Sequence, residues 1–172
     1  RDAAIFTLAA DHGVAAEGVS AYPQAVTAQM VENFLRGGAA VNALARHVGA
    51  RVIVADFGVA TRLPARPELI DKRVGNGTKN LARTRAMTPA QALQSIESGI
   101  ELIEAELGSA LDLIGTGEMG IANTTSASAI TAVITGRPVE EVTGRGTGLD
   151  EVGWRHKVDV IQKALNLHRP NP

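Results

Sequence analysis

The sequence predicts an α/β fold: an open, doubly wound and mainly parallel sheet with helices on both of its faces. Three observations predict it. Short, nearly continuous apolar runs recur along the chain, stretches of helical period separate them, and long loops follow or lie close to the runs. Strands that alternate with helices in this way form parallel βαβ units. A chain of 172 residues is the size of one domain, so we expect a single α/β domain over residues 1–172.

The first half of the chain supplies two strands and a long helical stretch. Residues 3–9 (AAIFTLA) and 51–55 (RVIVA) are apolar runs typical of buried parallel strands. Between them, residues 27–49 have the period of a helix that buries one face. Gly37 and Gly38 interrupt this pattern, and they either split the helix or allow close packing. The apolar positions of this helical stretch are Met30, Phe34, Val41, Leu44 and Val48.

The second half begins with a well-marked helix start. Thr88 is placed as the N-cap, Pro89 as the first helical residue and Gln91 as the second member of a capping box. The apolar positions that keep the helical period here are Leu93, Ile96, Ile100, Ile103 and Leu107. The remaining predicted elements are a strand at 111–114, a helix of small residues at 123–135 and an amphipathic helix at 152–167. The long loops between elements are 11–26, 57–87 and 136–150, and ligands bind in such loops at the carboxyl ends of parallel strands.

Composition excludes several classes of function. The formal net charge of −1 gives no basic surface for nucleic acid. The absence of cysteine excludes disulfides and thiolate chemistry and fits a reducing, cytoplasmic location. No apolar run approaches the ~20 residues of a membrane span, and the N-terminus lacks the pattern of a signal peptide. Asp11-His12 has no further ligand at metal spacing, so we expect no metal and interpret His12 as a structural or hydrogen-bonding residue.

A glycine-rich stretch follows the third predicted strand, with the sequence GTGEMGIANTT at 115–125. We expect the chain to turn at these glycines and then enter a helix capped by Asn123, Thr124 or Thr125. The remaining N–H groups of such a helix start favour an anion, although glycines and a cap also occur in turns that bind nothing. Glu118 lies inside the stretch and would repel an anion at close range.

The spacing Gly115-x-Gly117-x-x-Gly120 matches a dinucleotide fingerprint, but only in part. That fold requires a second strand that ends in an acidic residue about 20 positions later. Glu140 and Glu141 have this distance, yet a helix and Gly-Arg-Pro precede them rather than a strand. A helix that runs directly into this turn would exclude the reading as an NAD-dependent oxidoreductase.

Two further glycine loops are candidates for contact with a ligand. GNGTKN lies at 75–80, and GRGTGL at 144–149 precedes the helix that carries Lys157. A lysine on a helix is usually solvated, but its position after a glycine loop makes Lys157 a candidate for binding a phosphate. Tyr22 is either a packing anchor or an aromatic ring that stacks on a ligand.

Taken together, several segments resemble one family in the same order along essentially the whole chain. They are AADHGVAAEGVSAYPQAVTAQMVENFLRGGAAVNALA, ADFGV, GTGEMGIANTTSASAI and GRGTGLD followed by KVDVI. The family is nicotinate-nucleotide–dimethylbenzimidazole phosphoribosyltransferase. ADHGV…EGVSAYP and GEMGIANTT are far more specific than any G-x-G. The resemblance implies a Rossmann-like fold, with the small helical domain of the family largely missing from this chain.

The resemblance also implies a reaction and a set of site residues. The reaction transfers phosphoribose from nicotinate mononucleotide to 5,6-dimethylbenzimidazole, with inversion at the anomeric carbon, and requires no cofactor. Its partners would be these small molecules and a second copy of the chain. Glu118 would be a supporting carboxylate, and Tyr22 and Met30 would contact the base. The implied phosphate- and ribose-binding residues are Gly120, Ile121, Ala122, Asn123, Gly144, Gly146 and Lys157.

One departure from the family concerns the general base, which the resemblance places beyond Pro172. We therefore expect this chain to be the central part of a longer enzyme. The alternative is a non-catalytic module that binds nucleotides or phosphate without turnover.

Overall fold

The structure is a computed structural model that describes residues 2–108 and 111–171. Among these residues the chain forms two compact units. The sheet unit contains the residues up to Ala10, Ala25–Gly77 and Met87–Met119. The pocket unit contains Asp11–Gln24, Thr78–Ala86 and the residues from Gly120 onward. No helix of the described residues is both long and apolar enough to cross a membrane.

The sheet unit is built on four parallel strands. They are β1 (Asp2–Ala10), β2 (Arg51–Gly58), β3 (Leu69–Asp71) and β4 (Leu111–Met119), in the order β3-β2-β1-β4. The central strand β1 places Phe6 opposite Ile53 on one side and Thr116 on the other. This parallel arrangement confirms the predicted α/β sheet.

Helices cover both faces of the sheet, as predicted. On one face, Phe6 of β1 and Ala55 of β2 pack with Leu102 of α3 (Pro89–Leu107). On the other, Ala9 and Val54 pack with Val31 of α1 (Val26–Leu35), and α2 (Ala40–Val48) also contacts β2. Successive side chains of a strand point to opposite faces, which is why the apolar runs are nearly continuous.

The helical stretch at 27–49 is split, because the chain turns at Gly37 with φ +73°. Asn42 fixes the new helix start, since its Oδ1 accepts from the Ala39 N–H and its Nδ2 donates to the Phe34 carbonyl. The expectation of one buried face fails for α2: Leu44 and Val48 are exposed.

The predicted start of α3 is correct and its predicted buried face is not. Thr88 Oγ1 accepts from the Gln91 N–H at 3.2 Å, and Gln91 Oε1 accepts from the Thr88 N–H at 3.0 Å. The helix contacts the sheet through Leu102, and Ile103 is the one member of the apolar stripe that packs against the same cluster. The exposed members of that stripe are Leu93, Ile96, Ile100 and Leu107.

Strand β4 is longer than predicted, and this corrects the interpretation of the glycines that follow residue 114. Gly115 and Gly117 lie in the strand opposite Ile5 and Thr7 of β1. A Cβ on Gly115 would lie 3.3 Å from the Ile5 Cγ1, so this glycine serves close packing within the sheet. The chain leaves the sheet only after Met119.

The pocket unit is mostly helical. It contains a 3₁₀-helix (Gly13–Glu17), α4 (Asn123–Thr135), α5 (Val139–Val142) and α6 (Glu151–His168). The predicted helix at 123–135 is therefore correct to the residue. Each long loop predicted from the sequence contains a short element, namely the 3₁₀-helix, β3 or α5. Ile161 of α6 packs with Ala129 and Val139 in the core of this unit.

Candidate functional site

A cavity of about 200 Å³ lies within the pocket unit beside the start of α4. We call it the Thr124 pocket. Among the described residues, its lining contains hydroxyl, amide and small side chains and no Asp, Glu, Lys or Arg. The lining residues are Val19, Ser20, Ala122, Asn123, Thr124, Gly146 and Thr147.

A buried cation lies behind this lining. Lys157 of α6 is 1% exposed, and its Nζ donates to Thr124 Oγ1 at 2.7 Å and to the Gly144 carbonyl at 3.1 Å. Burial lowers the pKa of Lys157 below its ordinary value. Within residues 2–108 and 111–171, no Asp or Glu forms an ion pair with it. Lys157 therefore differs from the usual solvated lysine on a helix.

Gly146 brings the glycine loop against this cation. Its φ of +55° is in the left-handed region, and a Cβ there would lie 2.9 Å from Thr124 Oγ1 and 3.2 Å from Lys157 Nζ. A side chain at this position would therefore occupy the space between the loop and the ammonium group. The glycine thus leaves the space beside the ammonium group free of a side chain.

The start of α4 differs from the predicted amide site. The N-cap is Ala122 in the left-handed conformation, with φ 71° and no side-chain cap. The Asn123 N–H donates to the Gly120 carbonyl and the Thr125 N–H to the Ala122 carbonyl, both at 3.0 Å. The Thr124 N–H donates to Asn123 Oδ1 at 2.6 Å. The prediction that amides of this turn point outward is wrong for these three groups, because a tight left-handed turn pairs them locally.

Side chains supply the donors that the turn amides do not. Thr124 Oγ1 accepts from the ammonium of Lys157, so its own proton is directed elsewhere. Asn123 uses its carbonyl oxygen on the Thr124 N–H, which leaves its NH₂ group as a donor at the pocket wall. Lys157 retains one N–H beyond its two bonds. The Thr124 pocket thus has donors in its wall and a positive charge behind that wall, an arrangement that suits an anion.

The other expected phosphate residues lie around the pocket without lining it. Gly120 is buried and Ile121 is 2% exposed. Gly144 contributes its carbonyl to Lys157, and is itself exposed. Of the expected set, the structure brings Ala122, Asn123 and Gly146 together in the lining.

The expected catalytic and base-binding residues belong to both units. Glu118 lies in β4 of the sheet unit, where burial raises the pKa of its carboxyl. Met30 of α1 packs against the sheet core of the same unit. Tyr22 belongs to the pocket unit and is 55% exposed, so the interpretation as a packing anchor is wrong.

The main catalytic base is expected beyond Pro172, the last residue of the sequence. Pro172 itself lies outside the described residues. Of the expected catalytic groups, the structure therefore places only Glu118, the supporting carboxylate. The position of the base stays a prediction from the resemblance.

His12 forms a contact that is consistent with a hydrogen-bonding role. Its Nδ1 lies 3.3 Å from Ser126 Oγ, and burial is the main cause that lowers the pKa of His12, opposed by the charge of Asp11. Its ring is accordingly more easily neutral than an exposed histidine, and the contact ties the chain after β1 to α4.

The structure excludes the dinucleotide reading. Helix α4 runs to Thr135 and ends at Gly136 in the left-handed conformation, and Pro138 follows. Glu140 and Glu141 then lie in α5 instead of ending a strand. An acidic residue at the end of a second strand, which would hold the ribose, is missing at this spacing.

The glycine loop at 75–80 approaches protein backbone rather than an open cavity. A Cβ on Gly58 would lie 3.1 Å from the Gly75 carbonyl oxygen. Arg73 stabilises the same turn, because its Nη1 donates to Asp56 Oδ2 and to the Val59 carbonyl at 2.7 Å each. These contacts give the start of the loop a structural role, and its contact with a ligand stays a prediction.

Sequence reasoning missed three hydroxyl residues of the pocket as ligand contacts. They are Ser20, Thr124 and Thr147. Thr147 stands between two glycines, and Ser20 lies two residues before the only tyrosine. For Thr147, the two flanking glycines were a sign in the sequence that could have indicated a pocket residue.

Known proteins with similar sequences define the class of this chain. A family model described as Phosphoribosyltransferase matches residues 1–172. The chain therefore belongs to this phosphoribosyltransferase family, which confirms the resemblance indicated by its motifs.

Two similar proteins share one enzyme name. The chain is 58% identical over 169 residues to nicotinate-nucleotide–dimethylbenzimidazole phosphoribosyltransferase of Chloroflexus aggregans (strain MD-66 / DSM 9485). It is 57% identical to the enzyme of the same name from Roseiflexus sp. (strain RS-1). Each match covers 98% of this chain and 48% of the relative, so the chain spans about half the length of the curated relatives it matches.

A solved structure is similar over the whole chain. The crystal structure of CobT from Thermus thermophilus has a TM-score of 0.95 at 48% identity and covers 100% of this chain and 51% of that one. The crystal structure of nicotinate-nucleotide–dimethylbenzimidazole phosphoribosyltransferase from the same organism has a TM-score of 0.91 at 46% identity and covers 100% of this chain and 50% of that one.

Proposed function

We propose that this chain provides the ribotide-binding part of a nicotinate-nucleotide–dimethylbenzimidazole phosphoribosyltransferase. The reaction transfers phosphoribose from nicotinate mononucleotide to 5,6-dimethylbenzimidazole, giving α-ribazole 5′-phosphate and nicotinate in the assembly of the cobalamin nucleotide loop. One observation carries the proposal: Lys157 is buried without a carboxylate partner among the described residues, behind a pocket of neutral donors. The names of relatives at 57–58% identity support it.

The proposed ligand of the Thr124 pocket is the 5′-phosphate of the ribotide. Burying a cation without a partner is costly, and a phosphate that accepts from Lys157 offsets this cost. Asn123 and Thr124 would donate to the remaining oxygens, and the bare backbone of Gly146 would allow the ligand to approach. Gly120, Ile121, Ala122 and Gly144 would then act by shaping the turn and the loop.

Phosphate binding would contribute to catalysis by position. Interactions far from the reacting carbon hold the ribose in the reactive geometry and lower the entropic barrier. As nicotinate leaves, the ribose gains oxocarbenium character, and we propose Glu118 as a carboxylate that stabilises this positive charge. The general base would lie C-terminal to Pro172, as the resemblance implies.

Further parts of the proposal rest on the resemblance. Tyr22 and Met30 are proposed to contact the benzimidazole base, the enzyme to act as a homodimer, and its location to be cytoplasmic. A non-catalytic phosphate-binding module is the alternative, and the coverage of about half of the curated relatives favours keeping it.

Calorimetry with a matched pair of ligands tests the proposal. Nicotinate mononucleotide is expected to bind the chain, whereas nicotinate riboside, which lacks only the phosphate, should bind at least about tenfold more weakly. Equal affinity for the two ligands contradicts the phosphate site. A product assay with dimethylbenzimidazole then separates the two functions, because ribotide binding without turnover supports the non-catalytic alternative.

A further inference from the structure

Two loops of the pocket unit meet through a pair of hydroxyl groups. Ser20 Oγ lies 3.0 Å from Thr147 Oγ1, and both residues line the Thr124 pocket. The Ala21 N–H donates to Thr147 Oγ1 at 3.2 Å, and the Tyr22 N–H donates to Ser20 Oγ at 3.3 Å. We call this arrangement of two hydroxyls and two amides the hydroxyl clasp.

Both sides of the clasp are held by their own loops. Thr147 stands between Gly146 with φ +55° and Gly148 with φ +94°, and the Gly148 N–H donates to the Arg145 carbonyl at 3.2 Å. Ser20 follows Val19, which is 2% exposed and packs in the core of the pocket unit. The two hydroxyls therefore meet between anchored segments.

The two hydroxyls of the clasp have one more proton than the bond between them uses. Each hydroxyl has one proton, and the Ser20–Thr147 bond uses only one of the two. The second proton remains for another acceptor in whichever direction the bond runs, and both residues line the pocket. An anion in the pocket would accept it. A hydroxyl that donates becomes a better acceptor, so the amides of Ala21 and Tyr22 would then be bound more strongly.

We propose that Ser20 and Thr147 are positioning residues that link the occupied Thr124 pocket to the backbone of Tyr22. The inference rests on the proposed function, which supplies the phosphate in the pocket and the contact between Tyr22 and the base. Tyr22 is 55% exposed and its N–H is bound by the clasp, so the clasp restrains a residue that the core does not fix. Binding of the ribotide would order the loop that receives the second substrate.

The composition of the chain provides a direct probe. Tyr22 is its only tyrosine, so tyrosine labelled with ¹³C in the ring reports on this residue alone in an NMR spectrum. In the unmodified chain, titration with nicotinate mononucleotide should shift the Tyr22 ring resonances with the same Kd as calorimetry. Thr147→Val keeps the shape and removes the hydroxyl. It should reduce the Tyr22 shift at saturation by at least about fivefold and weaken ribotide binding by no more than about tenfold.

The conservative variant and the wild type separate the possible outcomes. Thr147→Ser restores the hydroxyl and should restore the Tyr22 response, whereas Ser20→Ala should remove it. If the Tyr22 ring resonances shift as much in Thr147→Val as in the wild type, Ser20 and Thr147 are not positioning residues. The same holds if the wild type binds ribotide and its Tyr22 resonances do not shift. Failure of the wild type to bind ribotide in calorimetry overturns the proposed function, and the clasp with it.

Discussion

The two units of the molecule bury charge in opposite ways. In the sheet unit, Asp56 and Arg73 are 4% and 8% exposed and form an ion pair at 2.7 Å. The Asp56 carboxylate also accepts from the Gly58 and Val59 N–H groups at 2.9 and 2.8 Å. In the pocket unit, Lys157 is as deeply buried but binds only a hydroxyl and a carbonyl among the described residues. The buried Arg73 is thus neutralised by a carboxylate of its own unit, whereas the charge of Lys157 has only neutral partners among the described residues.

The starts of α3 and α4 differ in the same way. In the sheet unit, α3 has a complete capping box at Thr88 and Gln91. In the pocket unit, α4 begins at a left-handed Ala122 without a side-chain cap. The polar side chains at the start of α3 thus serve local stability, whereas Asn123 and Thr124 at the start of α4 line the Thr124 pocket.

The largest expected effect is on the ion pair of the sheet unit. Arg73→Met leaves Asp56 buried without its cation and should lower the free energy of unfolding by about 3–5 kcal/mol. Urea unfolding followed by circular dichroism measures this. Arg62→Met is the matched control, because its side chain is 78% exposed and lies 3.9 Å from Asp71, so a change below about 1 kcal/mol is expected. Equal losses in both variants would contradict the contrast between buried and exposed pairs.

The corresponding change in the pocket unit should affect binding rather than stability. Lys157→Met removes the buried cation, so the affinity for nicotinate mononucleotide should fall about 10- to 100-fold. The free energy of unfolding should change by about 1 kcal/mol or less, because the cost of burying the charge disappears with it. Lys163→Met on the same helix is exposed and serves as the control in calorimetry and urea unfolding. If Lys157→Met is strongly destabilised and still binds ribotide normally, Lys157 serves stability rather than binding, and the contrast with Arg73 is contradicted.

A smaller effect is expected at the capped helix. Thr88→Ala removes the acceptor of the Gln91 N–H and should lower the free energy of unfolding by about 1 kcal/mol. Thr88→Ser retains a hydroxyl and should recover most of this stability. If alanine and serine behave alike in urea unfolding, the capping box does not stabilise α3.

The smallest effect concerns Glu118, whose pKa is raised by burial. The folded chain holds this proton more tightly than the unfolded one. Glu118 therefore contributes less to the free energy of unfolding as the pH rises from about 4.5 toward the raised pKa. Glu118→Gln removes this dependence, so its stability relative to the wild type should increase over that range in urea unfolding at several pH values. A constant difference would show that the carboxyl is fully solvated.

Local patterns predicted most of the fold. Residues 3–9 form the central strand because their apolar run suits a strand buried on both faces, and Thr88-Pro89 starts a helix because cap and proline act within one turn. The buried face of α3 was not predictable in this way. Ile96 and Ile100 have the right spacing, but the choice between their face and that of Leu102 depends on contacts with the sheet.

The candidate site was predictable in its position and less so in its chemistry. The glycine loop and the start of α4 do meet at one pocket, as Asn123 and Gly146 show. The sequence could not show that the Asn123 N–H pairs within its own turn, because this depends on the left-handed Ala122. It could not show the burial of Lys157 either, since four other charged residues on the same helix are exposed and nothing local distinguishes Lys157 from them. These are Glu151, Arg155, Asp159 and Lys163.

The left-handed Ala122 has a consequence for attempts to make the protein more resistant to heat. An L-residue in this conformation costs about 1–2 kcal/mol, which glycine avoids, although glycine loses about 0.4–1 kcal/mol through a more disordered unfolded chain. A library screened for melting temperature alone should therefore favour glycine at 122 by a small margin. Since Ala122 also forms part of the pocket wall, such a screen would select against a methyl group that lines the Thr124 pocket.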